Sequence, residues 1–241
     1  MIAIDRKTKV GDVVSRHAPL ADLFEKHHID FCCGGAQTIE EACTGKNLEP
    51  DALIEEIKAA WTNREADPSQ PRFDEMELDE LSDYIVEKHH SYVAEAIPLV
   101  TEYLERTAHA HGDNHPELHQ IKALFKASAG QLAQHMQKEE MVLFPRVKHL
   151  IRLKKTGQRL PVQPGAVASP IEVMMQEHAA EGERFEEIRR LSAHYTVPAD
   201  ACSTFQAAYR KLEEFELDLH RHIHLENNIL FPKALALEKD S

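Results

Sequence analysis

The sequence has no stretch approaching the roughly 20 apolar residues that a membrane-spanning helix needs. Its opening MIAIDRKTKVGDVV also lacks the apolar run followed by small residues that marks an export signal. A cytoplasmic protein with no membrane partner is the expectation. No cluster of lysine and arginine interleaves with aromatics, and a formal net charge of −13 repels a phosphate backbone. Nucleic acid is excluded as a partner. Cysteine is scarce: Cys32, Cys33, Cys43 and Cys202 are too few and too unevenly placed for a disulfide framework. The absence of a C-x-x-C pair argues against a closed structural zinc site. Sustained period-two alternation is missing as well, so the chain does not read as sheet.

Histidine, by contrast, is plentiful. There are sixteen, although Glu, Lys and Gln build helical surfaces more favourably. Apolar residues recur at three- and four-residue steps, which predicts an all-α protein. The stretch Thr62 to Pro71 is polar, carries two prolines and has no apolar face, so it reads as a linker. With a boundary near Ser69, it separates a small N-terminal helical module, residues 1–66, from a larger C-terminal unit, residues 74–237. Within that unit the run from Lys154 to Ser169 cannot continue a helix and reads as a long crossover. Four long helices are expected, over 74–108, 116–151, 170–194 and 199–236, joined as a four-helix bundle. Ser169 and Glu172 predict a capping box for the third.

The second and fourth helices carry the same pattern twice. His135, Glu139, Leu143, Phe144 and Pro145 match His222, Glu226, Leu230, Phe231 and Pro232 at every offset. On the preceding helices His90 lies 45 residues before His135, and His178 lies 44 before His222. The repetition suggests two half-sites related by a pseudo-twofold axis, with six ligands: His90, His135, Glu139, His178, His222 and Glu226. Each sits on an apolar stripe, such as Leu132, His135, Glu139 and Val142, or Phe215, Leu219, His222, Glu226 and Ile229. Burying Glu139 and Glu226 unpaired would cost several kcal/mol each, which a cation removes. Six mixed imidazole and carboxylate ligands on bundle helices suit a pair of iron ions, with each glutamate able to bridge both. Open coordination positions then admit small diatomic ligands, NO or O2.

This pattern over about residues 74–236 resembles the hemerythrin-like domain. It departs from the oxygen carriers, whose third helix has H-x-x-x-H, because His178 is followed by Gly182; a more flexible third helix and a labile centre are expected. The N-terminal segment HHIDFCCGG, His27 to Gly35, with KEEMVLFP and HLENNILFP downstream, resembles the iron–sulfur cluster repair family over nearly the whole chain. That resemblance implies two iron ions, oxo-bridged, a cytoplasmic homodimer, and restoration of damaged iron–sulfur proteins under nitrosative or oxidative stress. Alternatives are an oxygen or nitric oxide sensor, and a nitric oxide or peroxide enzyme.

Cys32 and Cys33 are adjacent, so a disulfide between them would be strained; thiol exchange or transient metal binding in iron transfer is more natural. Two small buried hydrophobes at a helix end is the plainer alternative. Gly34 and Gly35 would let a partner or ion approach closely. Cys43 and Cys202 read as packing residues. His89, His220 and His224 lie off the stripe and are expected to face solvent or bond to backbone. His111 is a candidate auxiliary ligand, and the two Phe-Pro pairs should kink or end their helices.

Overall fold

The computed structural model describes residues 4–64, 71–157 and 165–240. The proposed boundary near Ser69 and residues 158–164 of the expected crossover lie outside those residues; at its ends the flanking helices reach in to Thr156 and from Ala168. Among the described residues the chain is all-α, with a single isolated bridge between Lys9 and Thr38 and no helix long and apolar enough to cross a membrane.

Four short helices come first: α1 (Val10–Arg16), α2 (Leu20–Lys26), α3 (Ile39–Cys43) and α4 (Pro50–Arg64). Thr38 and Glu41 form a capping box that starts α3. The bundle follows, with α5 over 78–111, α6 over 117–156, α7 at Ala168–Leu191 and α8 over 203–239. Helix α5 packs against α6 and α8, and α6 against α7. The expected capping box on the third helix is not formed. Instead Glu238, at the end of α8, accepts the Val167 and Ala168 N–H groups at 2.8 and 3.1 Å. That places a carboxylate at the positive end of α7.

Three of the four bundle helices contain one wide π-helical turn: Val86–His90 in α5, Glu139–Leu143 in α6 and Glu226–Leu230 in α8. Each one includes or adjoins a predicted ligand, as single π turns tend to. The wide turn shifts the stripe by one residue. Val142, expected inside, is therefore 37% exposed, while Leu143 is 1% exposed. It also corrects the expectation for the Phe-Pro pairs. Pro145 and Pro232 fall in the first turn after a π turn, which absorbs the missing donor, and the helices run on to Thr156 and Lys239. Gly182 lies within unbroken helix and gives no break in α7.

Two apolar clusters fill the interior. One runs from the N-terminal module through Val93, Leu132, Phe185 and Leu219; the other holds Ile85, Leu143, Met174 and Ile229. All six predicted ligands lie between them in sequence register, as a polar layer across the bundle.

Candidate metal centre

The six side chains converge and are buried, none more than 4% exposed. Their ligating atoms form two groups that share both glutamates: His90, Glu139, His222 and Glu226, and His135, Glu139, His178 and Glu226. Glu139 directs Oε2 toward His90 Nε2 at 3.4 Å and Oε1 toward His135 Nε2 at 3.3 Å. Glu226 directs Oε1 toward His222 Nε2 at 3.3 Å and Oε2 toward His178 Nε2 at 3.2 Å. Each carboxylate thus sends one oxygen to each subsite.

The donor atoms fit a cation better than they fit one another. Both oxygens of Glu139 and of Glu226, Nε2 of His90 and both ring nitrogens of His222 have no hydrogen-bond partner. Buried carboxylates in that condition cost several kcal/mol each, so the layer is stable only with protons or metal between its members. Nε2 of His135 and Nε2 of His178 stand 3.1 Å apart. Two imidazoles about 2.1 Å from one ion, at right angles, would be separated by roughly 3 Å.

Electrostatics show the same tension. Burial opposes protonation of His90 and His135, but the shared carboxylates outweigh it and raise both, His135 to about 9. Burial prevails at His222, which is lowered despite Glu226. For Glu226, burial favours the neutral form, yet His222 and His178 hold it well below the usual carboxylate range.

Surrounding residues fix the rings by a rule that repeats. The residue after each shared glutamate holds Nδ1 of the histidine from the preceding helix: Glu140 holds His90 at 2.7 Å, and Asn227 holds His178 at 2.9 Å. The residue before each of those histidines faces the other ligand. Glu177 accepts from His135 Nδ1 at 2.8 Å, whereas His89 lies parallel to the His222 ring, centroids 5.5 Å apart. With Nδ1 of His90, His135 and His178 so engaged, Nε2 of each presents its lone pair inward. Sequence reading missed Glu140, Asn227 and Glu177, although the shared offset after each H-x-x-x-E was visible. A cavity of about 320 Å³ between α6 and α7 reaches His135, His178 and His222, with Gln134, Lys138 and Gln176 also lining it.

Several expectations need correction. His89 is buried and bonds Asp218 at 3.0 Å, and His220 bonds Glu25 of α2 at 2.5 Å, so neither faces solvent. His224 does bond backbone, the Phe31 carbonyl at 3.2 Å. His111, the candidate auxiliary ligand, is not brought to this layer: it ends α5, 21 residues and about 30 Å of helix beyond His90. Its ring packs on Phe205. Cys202 is exposed rather than packed; the Phe205 N–H, then His111, hold its thiol down at about 7. Cys43 is buried, as a packing residue should be.

Cys32 is buried and Cys33 exposed, both free, with sulfurs 3.9 Å apart. Their loop lies directly against the layer of histidines and glutamates. Cys33 Sγ is 3.8 Å from the His178 carbonyl oxygen, and a Cβ on Gly182 would stand 3.7 Å from the same sulfur. Asn228 Nδ2 donates to the carbonyls of Phe31 and Cys32 at 3.2 and 3.0 Å. Gly34 and Gly35 make room for the protein itself rather than for a partner: a Cβ on the first would meet the Asp30 carbonyl at 2.8 Å, and on the second Asn228 Oδ1 at 2.4 Å.

Comparison with known proteins agrees with this geometry. Residues 81–234 match the hemerythrin HHE cation binding domain, and residues 6–61 match a domain of unknown function, DUF542. The chain is similar to the iron–sulfur cluster repair protein YtfE of Yersinia pseudotuberculosis serotype O:1b (strain IP 31758), 35% identical over 98% of this chain and 95% of the relative. It is likewise similar to that of serotype IB (strain PB1/+), 35% identical over 97% and 99%, and that of Yersinia pestis (strain Pestoides F), 34% over 98% and 95%. A buried layer of imidazoles and shared carboxylates, within a cation-binding domain and behind a vicinal-cysteine module, places the chain in the family of iron–sulfur cluster repair proteins.

Proposed function

We propose that the protein repairs iron–sulfur clusters damaged by nitrosative or oxidative stress, holding two iron ions in the bundle and supplying iron from them. His90 and His222 hold one ion, His135 and His178 the other, and Glu139 and Glu226 bridge both. The observation that carries this reading is that each buried carboxylate turns one oxygen to each subsite. Iron held by these residues would supply redox chemistry and a labile metal. The chain's own residues bury the site, orient the rings through Glu140, Glu177 and Asn227, and exclude bulk water. Cys32 and Cys33, in the module of residues 1–66, take part in transfer beside the bundle of residues 74–237. A cytoplasmic homodimer is part of the same reading.

Iron counting on protein purified without oxygen, followed by incubation with an apo iron–sulfur enzyme, tests the proposal. Two ions per chain and reactivation of the enzyme are expected. Glu226→Ala and His222→Ala should each lower bound iron and remove the oxo-bridge absorption; two ions retained in both variants would overturn the ligand set. The cavity that reaches three of the histidines favours a second reading, in which nitric oxide or oxygen is bound or turned over at the irons. Sustained conversion of nitric oxide to nitrous oxide, without iron loss, would favour it.

A further inference from the structure

Asp30, Cys32 and Cys33 bring a carboxylate and two sulfurs within 4.8 Å of one another, outside the bundle layer. The cluster is built by its own loop. Asp30 Oδ1 accepts the N–H groups of Cys32 and Cys33 at 3.0 and 2.9 Å, and Oδ2 accepts that of Gly34 at 2.8 Å. The Cys32 thiol also donates to Oδ1, at 3.2 Å. Four contacts reach the carboxylate, three at Oδ1 and one at Oδ2, against about two acceptor positions per oxygen. Three are backbone bonds that fix the loop. The fourth is held by a thiol proton, a weak and exchangeable donor.

We propose that Asp30, Cys32 and Cys33 form a second metal site, open and exchangeable, for a thiophilic divalent cation such as ferrous iron or zinc. Tetrahedral coordination with metal–sulfur bonds near 2.3 Å and a metal–oxygen bond near 2.0 Å puts the sulfurs roughly 3.8 Å apart and each roughly 3.5 Å from the oxygen. The structure has 3.9 Å between the sulfurs and 3.2 Å from Cys32 Sγ to Asp30 Oδ1, each within a few tenths of an ångström of those values, and Cys33 Sγ lies within 4.8 Å of the carboxylate. As the ion enters, both thiols lose their protons to solvent and the carboxylate position occupied by the Cys32 proton passes to the metal. No electron is transferred. Three protein ligands leave a fourth position, and the exposed Cys33 faces a cavity of about 830 Å³ that Lys46, Gly182 and Glu183 also line.

The place of the site suggests its use. The His178 carbonyl is 3.8 Å from Cys33 Sγ, so the open site lies one side chain away from a bundle ligand. It is positioned to take an ion leaving the bundle and present it to a thiolate-bearing acceptor. That handover role rests on the repair reading above; the site itself does not.

Cobalt(II) is a suitable probe, added without oxygen to the full-length chain with its bundle already loaded with iron. One equivalent should bind with a thiolate-to-cobalt charge-transfer band and tetrahedral visible bands. Cys33→Ser and Cys32→Ser should each abolish the charge-transfer band or weaken binding about tenfold or more, with bundle iron and far-ultraviolet dichroism unchanged. Asp30→Asn keeps an oxygen for the Cys32 and Cys33 N–H groups, and should weaken binding without releasing the loop. No thiolate band in the unaltered chain, or a band that survives the Cys32→Ser, Cys33→Ser double variant, overturns the site. Cobalt binding in a chain that cannot reactivate an apo iron–sulfur enzyme supports the site and removes only the donation role.

Discussion

Asn227 Oδ1 stands 2.9 Å from His178 Nδ1, in the place where Glu140 holds His90 Nδ1 at 2.7 Å in the other half of the bundle. The two contacts differ in charge. Glu140 is a carboxylate, whereas Asn227 is neutral and its Nδ2 also turns to the Cys32 carbonyl at 3.5 Å. The His178 ring is thus steadied by the residue that touches the cysteine loop. Asn227→Ala should lower affinity for one of the two ions by roughly ten- to a hundredfold, the usual cost of losing such a partner. Asn227→Asp retains the acceptor and should restore most of it. Competition with a chelator under anaerobic conditions measures both; two ions bound with unaltered affinity in Asn227→Ala would remove the positioning role.

Acid should loosen the contact between module and bundle through His224. This ring is buried between Ser15, the Phe31 carbonyl and Asn228, and burial lowers its pKa to about 4. An unfolded histidine titrates near 6.5. Between those values the unfolded chain binds a proton that the folded chain does not, so the contribution is complete above about 6.5 and lost as pH falls toward 4. The loss should reach about 2 kcal/mol at pH 5. Urea unfolding of the iron-free chain at pH 7 and pH 5 measures it, and His224→Gln should flatten the difference by that amount. An unchanged pH dependence in the variant would exclude His224 as its source.

A buried charge network ties the same module down. Glu216, 2% exposed, accepts from Arg189 Nε at 3.1 and 3.2 Å and from the Tyr195 hydroxyl at 2.9 Å. Arg189 also reaches Glu25 of α2 at 3.3 Å. Burial, then Glu216, raises the Tyr195 hydroxyl far above its ordinary range, so it stays a donor. Arg189→Met leaves a buried carboxylate without its cation and should cost about 3–5 kcal/mol. Adding Glu216→Leu should return much of that, because the pair offsets its own desolvation. Chemical denaturation of both single variants and the double variant gives the coupling; additive losses would contradict it.

The long helices are legible in the sequence because their apolar stripes repeat, and the six converging residues because one pattern occurs twice in register. What escapes reading lies at long range or in backbone form. No residue type marks a π turn, so Val142 reads as inward-facing, and the glutamate that caps α7 comes from Glu238, about 70 residues away. His89 and His220 look idle because their partners, Asp218 and Glu25, lie 129 and 195 residues off. Asp30 stands in plain view within DFCCGG, but its carboxylate serves its own backbone, a use that composition does not reveal.

Two glycines should respond oppositely to the same substitution. At Gly35 a Cβ would stand 2.4 Å from Asn228 Oδ1 and 2.7 Å from the Phe31 carbonyl oxygen. Neither neighbour can retreat, since the Asn228 amide is itself bonded to the Phe31 and Cys32 carbonyls. Gly35→Ala should cost about 1–3 kcal/mol by overpacking and lift the cysteine loop from the bundle. Gly130 lies inside α6, where an added methyl group would meet nothing within 4 Å, so Gly130→Ala should gain about 0.5–1 kcal/mol from helix propensity alone. In a chain of this size each kcal/mol moves the melting temperature by about 2–4 °C. Thermal denaturation reads the two signs, and the rate at which a thiol reagent modifies the buried Cys32 reads the loop. Faster modification in Gly35→Ala but not in Gly130→Ala is expected; equal rates would mean that the glycine does not hold the loop in place.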